Sequence, residues 1–517
     1  MLSVADFPSF LLSFFGAGIY SAVIAFIQTF DISTATLLSI YSSVSIVVHG
    51  LGILNAAHAV MKVKSSRSAL AWSIALVSLP WVVIPLYWIL GKSKFQGYSA
   101  TIQAAYKTHR DLVELAYSEI LDYKATLPSG FKTIERIADT FTGLPFTTHN
   151  AVKLLIDGEE TFPEMLAAIA QAKDYILLQS YIIHDDDIGT QFQQALIEKS
   201  KQGVKVHLLY DGIGAHDLPR KYIETLEEHG VAVSSFRSSK GFKTRFQLNF
   251  RNHRKILIVD GKTAFVGGLN IGDEYLGKDP KLGDWRDTHM QLKGPSVQCL
   301  QRTFLSDWYW ATQDVPDVCW HAQVAAELDQ TTFVLATGPA DKLEACSLFF
   351  LNLINHSREK LWIASPYFVP DGSTLNALKL AAIRGVDVRI ILPNRPDQRL
   401  VYACSFSYYE SLEQVGIQLY RYQPGFMHQK IILCDDDIAG VGTVNLDNRS
   451  FFLNFEVMTF VIQDEEKPDG RAFIQDVEAM LERDFERSRL VDFSKWQQKP
   501  FWFKLSARVA RLLSPIL

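Results

Sequence analysis

The chain repeats itself, and that repeat limits what it can fold into. AIAQAKDYILLQSYIIHDDDIGTQFQQALIEKSKQGVKVHLLYD, Ala168 to Asp211, reads as helix, apolar strand, helix, Gly-Val turn and apolar strand. LINHSREKLWIASPYFVPDGSTLNALKLAAIRGVDVRIILPN, Leu353 to Asn394, reads the same way, with RGVDVRIIL answering QGVKVHLLY. Strands and helices alternating at these lengths predict an α/β fold: two similar halves with mixed, mostly parallel sheets covered by helices.

Each half then carries one constellation. NHRKILIVDGKTAFVGGLN supplies His253, Lys255, Asp260, Gly267, Gly268 and Asn270, and MHQKIILCDDDIAGVGTVN supplies His428, Lys430, Asp435, Gly442, Thr443 and Asn445. Every offset agrees between the copies. A single HxKx4D is weak evidence, whereas two copies with matching Gly and Asn offsets are specific.

The residue types fit phosphoryl chemistry. Residues i and i+2 of a strand share a face, so each His projects beside its Lys. Two ammonium groups suit a phosphodiester, whose charge builds on nonbridging oxygens in the transition state. One imidazole attacks phosphorus; the other protonates the leaving alkoxide, then deprotonates the incoming alcohol. No metal or other cofactor is expected, because a Lys beside each His repels a cation and no third ligand stands at metal spacing. Asp287 in WRDTH and Glu456 in LNFE are candidates to orient the two imidazoles. Asp260 and Asp435 differ in parity from the His and Lys, and Asp260–Gly261 reads as a turn, so both are cast as structural supports of the motif.

The N-terminal region sets the compartment. No Lys or Arg precedes Lys62, and three uncharged runs, Phe7 to Phe30, Ile32 to Met61 and Ser68 to Gly91, each pass the roughly 18 apolar residues that nominate a span. The first run lacks a basic n-region and is expected to be retained. Lys62, Lys64 and Arg67 precede the third run while Lys92 and Lys94 follow it, so a straight span would put one basic cluster outside. A run broken at Pro80 or Pro85 would keep both clusters on the cytoplasmic face. The expected organisation is a membrane region 1–91 with two or three segments (7–30, 37–61, 69–91) and a linker 92–149 with an amphipathic helix from Ser99 to Lys124. The halves follow at 150–328 and 329–490, with motifs in 247–274 and 422–449, and an amphipathic tail closes the chain at 491–517. In the tail Lys504, Arg508 and Arg511 stand among Trp502, Phe503, Leu505, Val509 and Leu512, a pattern that serves an interfacial helix or a packed terminal one. A formal charge of -5 and a pI near 6.2 give no global basic footprint, which argues against a nucleic-acid partner. Five widely spaced cysteines without a CxxC suggest buried thiols.

At the paired HxKx4D motifs followed by GGxN and GTxN, the sequence resembles the phospholipase D superfamily. GGLNIGDEYLG, WRDTH, SPYFVPDG, GTVNLDNRSFFLNFE, the segment Arg67 to Lys94 and the terminal RLLSPIL are further similar to bacterial cardiolipin synthases of that superfamily. The resemblance spans roughly Arg67 to Leu517. It implies a multi-pass plasma-membrane transferase, its catalytic part cytoplasmic, that turns two phosphatidylglycerol molecules into cardiolipin and glycerol through a phosphatidyl-histidine. His253 would be the nucleophile and His428 the acid-base partner. Lys255, Lys430, Asn270 and Asn445 would hold phosphate oxygens, supported by Gly268 and Thr443. Thr443 departs from the family's common Ser but keeps the hydroxyl. The same intermediate would serve a phospholipase D that uses water, or a transferase with another donor or acceptor such as phosphatidylethanolamine or serine.

Overall fold

The computed structural model describes residues 34–63, 65–91, 94–237, 247, 249–463 and 469–517. The chain divides into two compact units, one up to Ser93 and one from Lys94 to Leu517.

In the first unit Thr34–Lys62 is a helix of 29 residues, and among the described residues it alone is long and apolar enough to cross a membrane. The expected segment 7–30 lies outside the described residues. The segment expected at 69–91 is not one span. It is two helices, Ser66–Ser78 and Pro80–Leu90, parted at Leu79 with φ -134 and ψ 54. The cause is local: Pro80 cannot donate to the preceding turn and bars Leu79 from helical geometry. At a rise of 1.5 Å per residue neither piece passes about 20 Å, short of a hydrocarbon core of about 30 Å. Both pack on the long helix through Ala56, Ala59, Leu76, Val83 and Ile84. A Cβ at Gly52 would lie 2.4 Å from the Leu76 carbonyl oxygen, so glycine permits this close approach. Ile46, Leu54, Met61, Leu70 and Leu79 face outward, the inverse of a soluble helix pair.

The second unit is built on one long mixed sheet. From its middle outward the first half runs Thr147–Ile156, Thr288–Lys293, Thr263–Gly267, Ile256–Val259, Tyr175–Ser180, Lys205–Asp211 and Ala232–Phe236. The second half runs Gln330–Thr337, Asn454–Ile462, Ile438–Gly442, Ile431–Cys434, Lys360–Ala364, Asp387–Pro393 and Gln418–Tyr422, with Ser488–Leu490 at its edge. Strand for strand the two orders match, and Thr147–Ile156 joins Gln330–Thr337 antiparallel at the centre. The expected alternation of helix and strand is present in both copies.

The sheet is not mostly parallel. In this sheet parallel pairing within each half is confined to its three outer helix-connected strands. The strands after each motif are joined by a tight turn, which allows only antiparallel neighbours. Helices Ser296–Thr312 and Asp469–Glu486 cover the central strands, and a shared core containing Phe304, Val266, Val441, Val457 and Val477 binds the halves.

Two smaller expectations also change. The helix read from Ser99 to Lys124 is broken at His109 into Tyr98–Thr108 and Arg110–Leu121, which both pack on Ser296–Thr312. Four cysteines are buried as thiols, but Cys319 is exposed.

Candidate active site

The motif residues do not lie in regular strand. Arg251–Asn252 and Ile256–Val259 flank His253, Arg254 and Lys255, and Phe426–Met427 and Ile431–Cys434 flank His428, Gln429 and Lys430. The break has a topological reason. Arg251–Asn252 pairs with Asn454–Phe455 of the other half, whereas Ile256–Val259 pairs within its own. Phe426–Met427 likewise pairs with Trp285–Arg286 across the halves. His253 N donates to the Phe455 carbonyl at 2.9 Å, and His428 N to the Arg286 carbonyl at 2.7 Å.

This crossing delivers each orienting carboxylate from the opposite half. Glu456 accepts from His253 Nδ1 at 2.9 and 3.1 Å, and Asp287 accepts from His428 Nδ1 at 2.7 Å. Both carboxylates are fully buried and both imidazoles nearly so. With Nδ1–H committed to a carboxylate, Nε2 is the nitrogen that carries the lone pair. The two carboxylates are held differently. Thr443 Oγ1 donates to Glu456 at 2.5 Å and Asn454 Nδ2 at 3.1 Å. Asp287 takes the Thr288 N–H at 2.8 Å and stands over Gly268.

Lys255 Nζ donates to the His253 carbonyl at 2.8 Å, and Lys430 Nζ to the His428 carbonyl. Burial pushes His253 down to about 4, reinforced by Lys255 and Lys430 and opposed by Glu456. Burial and then Lys430 push His428 down to about 4 against the pull of Asp287. Burial also lowers both ammonium groups, Lys430 to about 8. Burial would raise Glu456 and Asp287. Even so, His253 with the Thr443 hydroxyl holds Glu456 below its ordinary value, and Lys430 with His428 does the same for Asp287. The resting site thus pairs neutral imidazoles with ionised carboxylates, and an arriving anion supplies the charge that makes protonating an imidazole favourable.

The remaining expected residues divide. Asp260 accepts from the backbone N–H groups of Lys173, Asp174 and Tyr175 at 2.8 to 2.9 Å. Asp435 accepts from those of Arg358, Glu359 and Lys360, the latter two at 2.8 and 2.9 Å. Each ties its motif hairpin to the first strand of its repeat. Asn270 accepts from Ile182 N at 3.2 Å and donates to the Tyr275 hydroxyl at 2.5 Å, while Asn445 Oδ1 is buried with no partner among the described residues. Among the described residues no group of three or more His, Cys, Asp or Glu could hold a metal ion.

Several side chains around the site escaped the sequence reading. Arg254, between His253 and Lys255, points away from them to Asp307 at 2.8 Å and donates to the Glu456 carbonyl at 3.0 Å. Arg286, beside Asp287, binds Asp484 and Asp157, each at 2.9 Å. Tyr181 sets its ring edge-on to His253 at 5.0 Å, and Trp285 does so to His428 at 5.2 Å. The available signal was parity: a charged residue flanking a site residue in a buried stretch must find a partner on the other side.

A family profile described as cardiolipin synthase, phospholipase D-like domain, matches residues 165–308 and 350–485. The chain is 44% identical over 472 residues to a cardiolipin synthase A of Pseudomonas fluorescens, covering 91% of this chain and 97% of that protein. It is 45% identical to a cardiolipin synthase A of Pseudomonas aeruginosa, covering 90% and 94%. Its fold is similar to a crystal structure of a phosphatidylserine synthase from Haemophilus influenzae, with TM-score 0.56, 16% identity, 75% of this chain and all of that one.

Proposed function

The chain belongs to the cardiolipin synthases built on phospholipase D-like domains, and from that premise we propose that it joins two phosphatidylglycerol molecules into cardiolipin and glycerol. His253 Nε2 attacks phosphorus, and the bond from phosphorus to the glycerol oxygen breaks as His428 Nε2–H gives that oxygen its proton. A phosphatidyl group is then carried on His253. Neutral His428 next takes the proton of the second phosphatidylglycerol's terminal hydroxyl, whose oxygen attacks phosphorus and releases His253. Lys255 and Lys430 stabilise the nonbridging oxygens. Asn445 and Asn270, one from each half, would turn amide N–H groups to the same oxygens, since an amide nitrogen donates where phosphate oxygens accept.

The observation that carries this reading is the crossed pairing of His253 with Glu456 and His428 with Asp287. It gives the two imidazoles like orientation but unlike surroundings, as two distinct roles require. Residues 150–328 and 329–490 act as the two halves of one site.

For the membrane we propose, among the described residues, one span at Thr34–Lys62 followed by a re-entrant pair, Ser66–Ser78 and Pro80–Leu90. The break at Leu79–Pro80 supports this, since it lets Lys62, Arg67 and Lys94 share the cytoplasmic face of a bacterial plasma membrane. The test is to give the purified full chain labelled phosphatidylglycerol in detergent and identify the lipid products by mass. Cardiolipin with released glycerol is expected, and phosphatidic acid alone would make water the acceptor and overturn the assignment.

A further inference from the structure

The last helix, Phe501–Leu512, has two apolar faces where a packed terminal helix needs one. Phe503, Ala507 and Ala510, spaced i, i+4 and i+7, turn inward, and the two alanines are buried in the core of the second half. The Phe503 ring meets Phe406 at 5.3 Å, and the Arg511 guanidinium lies over Tyr408 at 4.8 Å. On the opposite side Phe501, Leu505, Val509 and Leu512 form a second stripe with Trp502 at its edge. Phe501 is 67% exposed, Trp502 74% and Leu512 77%.

Charge says what covers this face. Lys504, Arg508 and Arg511 accompany the stripe, and no Asp or Glu occurs from Phe501 to Leu517. Exposed aromatics at one end, aliphatics along the face and bases only on the flanks match the headgroup region of an anionic bilayer. The helix is also fixed beside the motif. Asn448 Nδ2 donates to the Ser514 carbonyl at 2.9 Å, and Arg449 N to the Leu517 carbonyl at 2.9 Å. Asn448 and Arg449 follow Asn445 by only three and four residues.

We propose that Phe501–Leu512 is a membrane-docking helix whose outward face enters the headgroup region of an anionic phospholipid bilayer next to the catalytic half. Both readings left open by the tail sequence are then correct, one for each face. The surface is separate from the reaction assigned above, and a chain unable to make cardiolipin would still dock through it.

The test uses the full chain with Leu512→Cys in a Cys319→Ser background, labelled with an environment-sensitive fluorophore. The protein is reconstituted in phosphatidylcholine vesicles with and without phosphatidylglycerol. Quenching by nitroxide-bearing lipid, stronger with phosphatidylglycerol present, is expected. No quenching in either vesicle overturns the proposal. So does disulfide formation between unlabelled copies without lipid quenching, which would make the face an interface between chains. In parallel, Phe501→Ser/Trp502→Ser should lower kcat/KM on vesicle substrate on the order of tenfold, the weight of two interfacial aromatics, while sparing short-chain substrate dissolved as monomers. An equal loss on both substrates contradicts docking.

Discussion

A Cβ at position 268 would stand 1.9 Å from Asp287 Oδ1, so glycine is what lets this carboxylate reach His428. At the equivalent position 443 the hydroxyl of Thr443 donates to Glu456 instead. Gly268→Ala should therefore lower transfer about 100-fold, the upper range for lost support of a site residue. Thr443→Val should cost about tenfold and Thr443→Ser little, since Ser keeps the donor. Steady-state rates on phosphatidylglycerol check all three. Lys430 gives a pH signature. With its ammonium pushed down to about 8, the proton is present below that pH and lost above it. Transfer should fall as pH rises through about 8, and Lys430→Arg should abolish that limb at a lower plateau, because a planar fork replaces a compact ammonium badly. An unchanged alkaline limb in the Arg variant would remove Lys430 from the account.

The motif hairpin is the element that turns a repeat into a site. Its Asp faces away from the imidazoles and gathers N–H groups from the strand that opens the repeat. Asp435 also has φ 51, where a side chain other than Gly, Asn or Asp is strained. Asp435→Ala should thus lower stability by about 3 kcal/mol, from donors left without a partner, with activity per folded molecule retained. Asp435→Asn should lose less, and denaturant midpoints measured beside specific activity separate the two effects. Much of this element was legible in the sequence. Parity cast Asp260 and Asp435 as supports within the catalytic motif, and the Asp260–Gly261 pair predicted a turn, found with φ 52 and 65. What parity could not show is that His253 and Lys255 sit in a gap between two short strands, because the gap exists only where Arg251–Asn252 leaves its own half to pair with Asn454–Phe455. The third apolar run was left open between a straight span and one broken at Pro80 or Pro85, and the break is at Pro80. Hydropathy counts residues, whereas Pro80 sets where the helix must stop.

Across the whole molecule the two halves are copies in strand order yet neither owns a complete site, since each imidazole is oriented by the other's carboxylate. The sequence named Glu456 and Asp287 but held no information on which His each would meet. That assignment depends on how two sheets join through Thr147–Ile156 and Gln330–Thr337, a contact made by residues with no chemical signature. The expectation of mostly parallel sheets failed because each half is antiparallel from its motif hairpin to the joined middle. In the proposed mechanism the crossing gives separable roles: Glu456 would serve His253 as nucleophile and Asp287 would serve His428 as acid-base partner. Phosphatidyl-p-nitrophenol needs no proton on its leaving group, so it isolates the covalent step. The decisive measurement is peptide mapping by mass after Asp287→Asn and Glu456→Gln proteins meet this substrate. A phosphatidyl adduct retained on His253 in Asp287→Asn, and none in Glu456→Gln, is the predicted result. An adduct on His428, or equal labelling in both variants, would contradict the account.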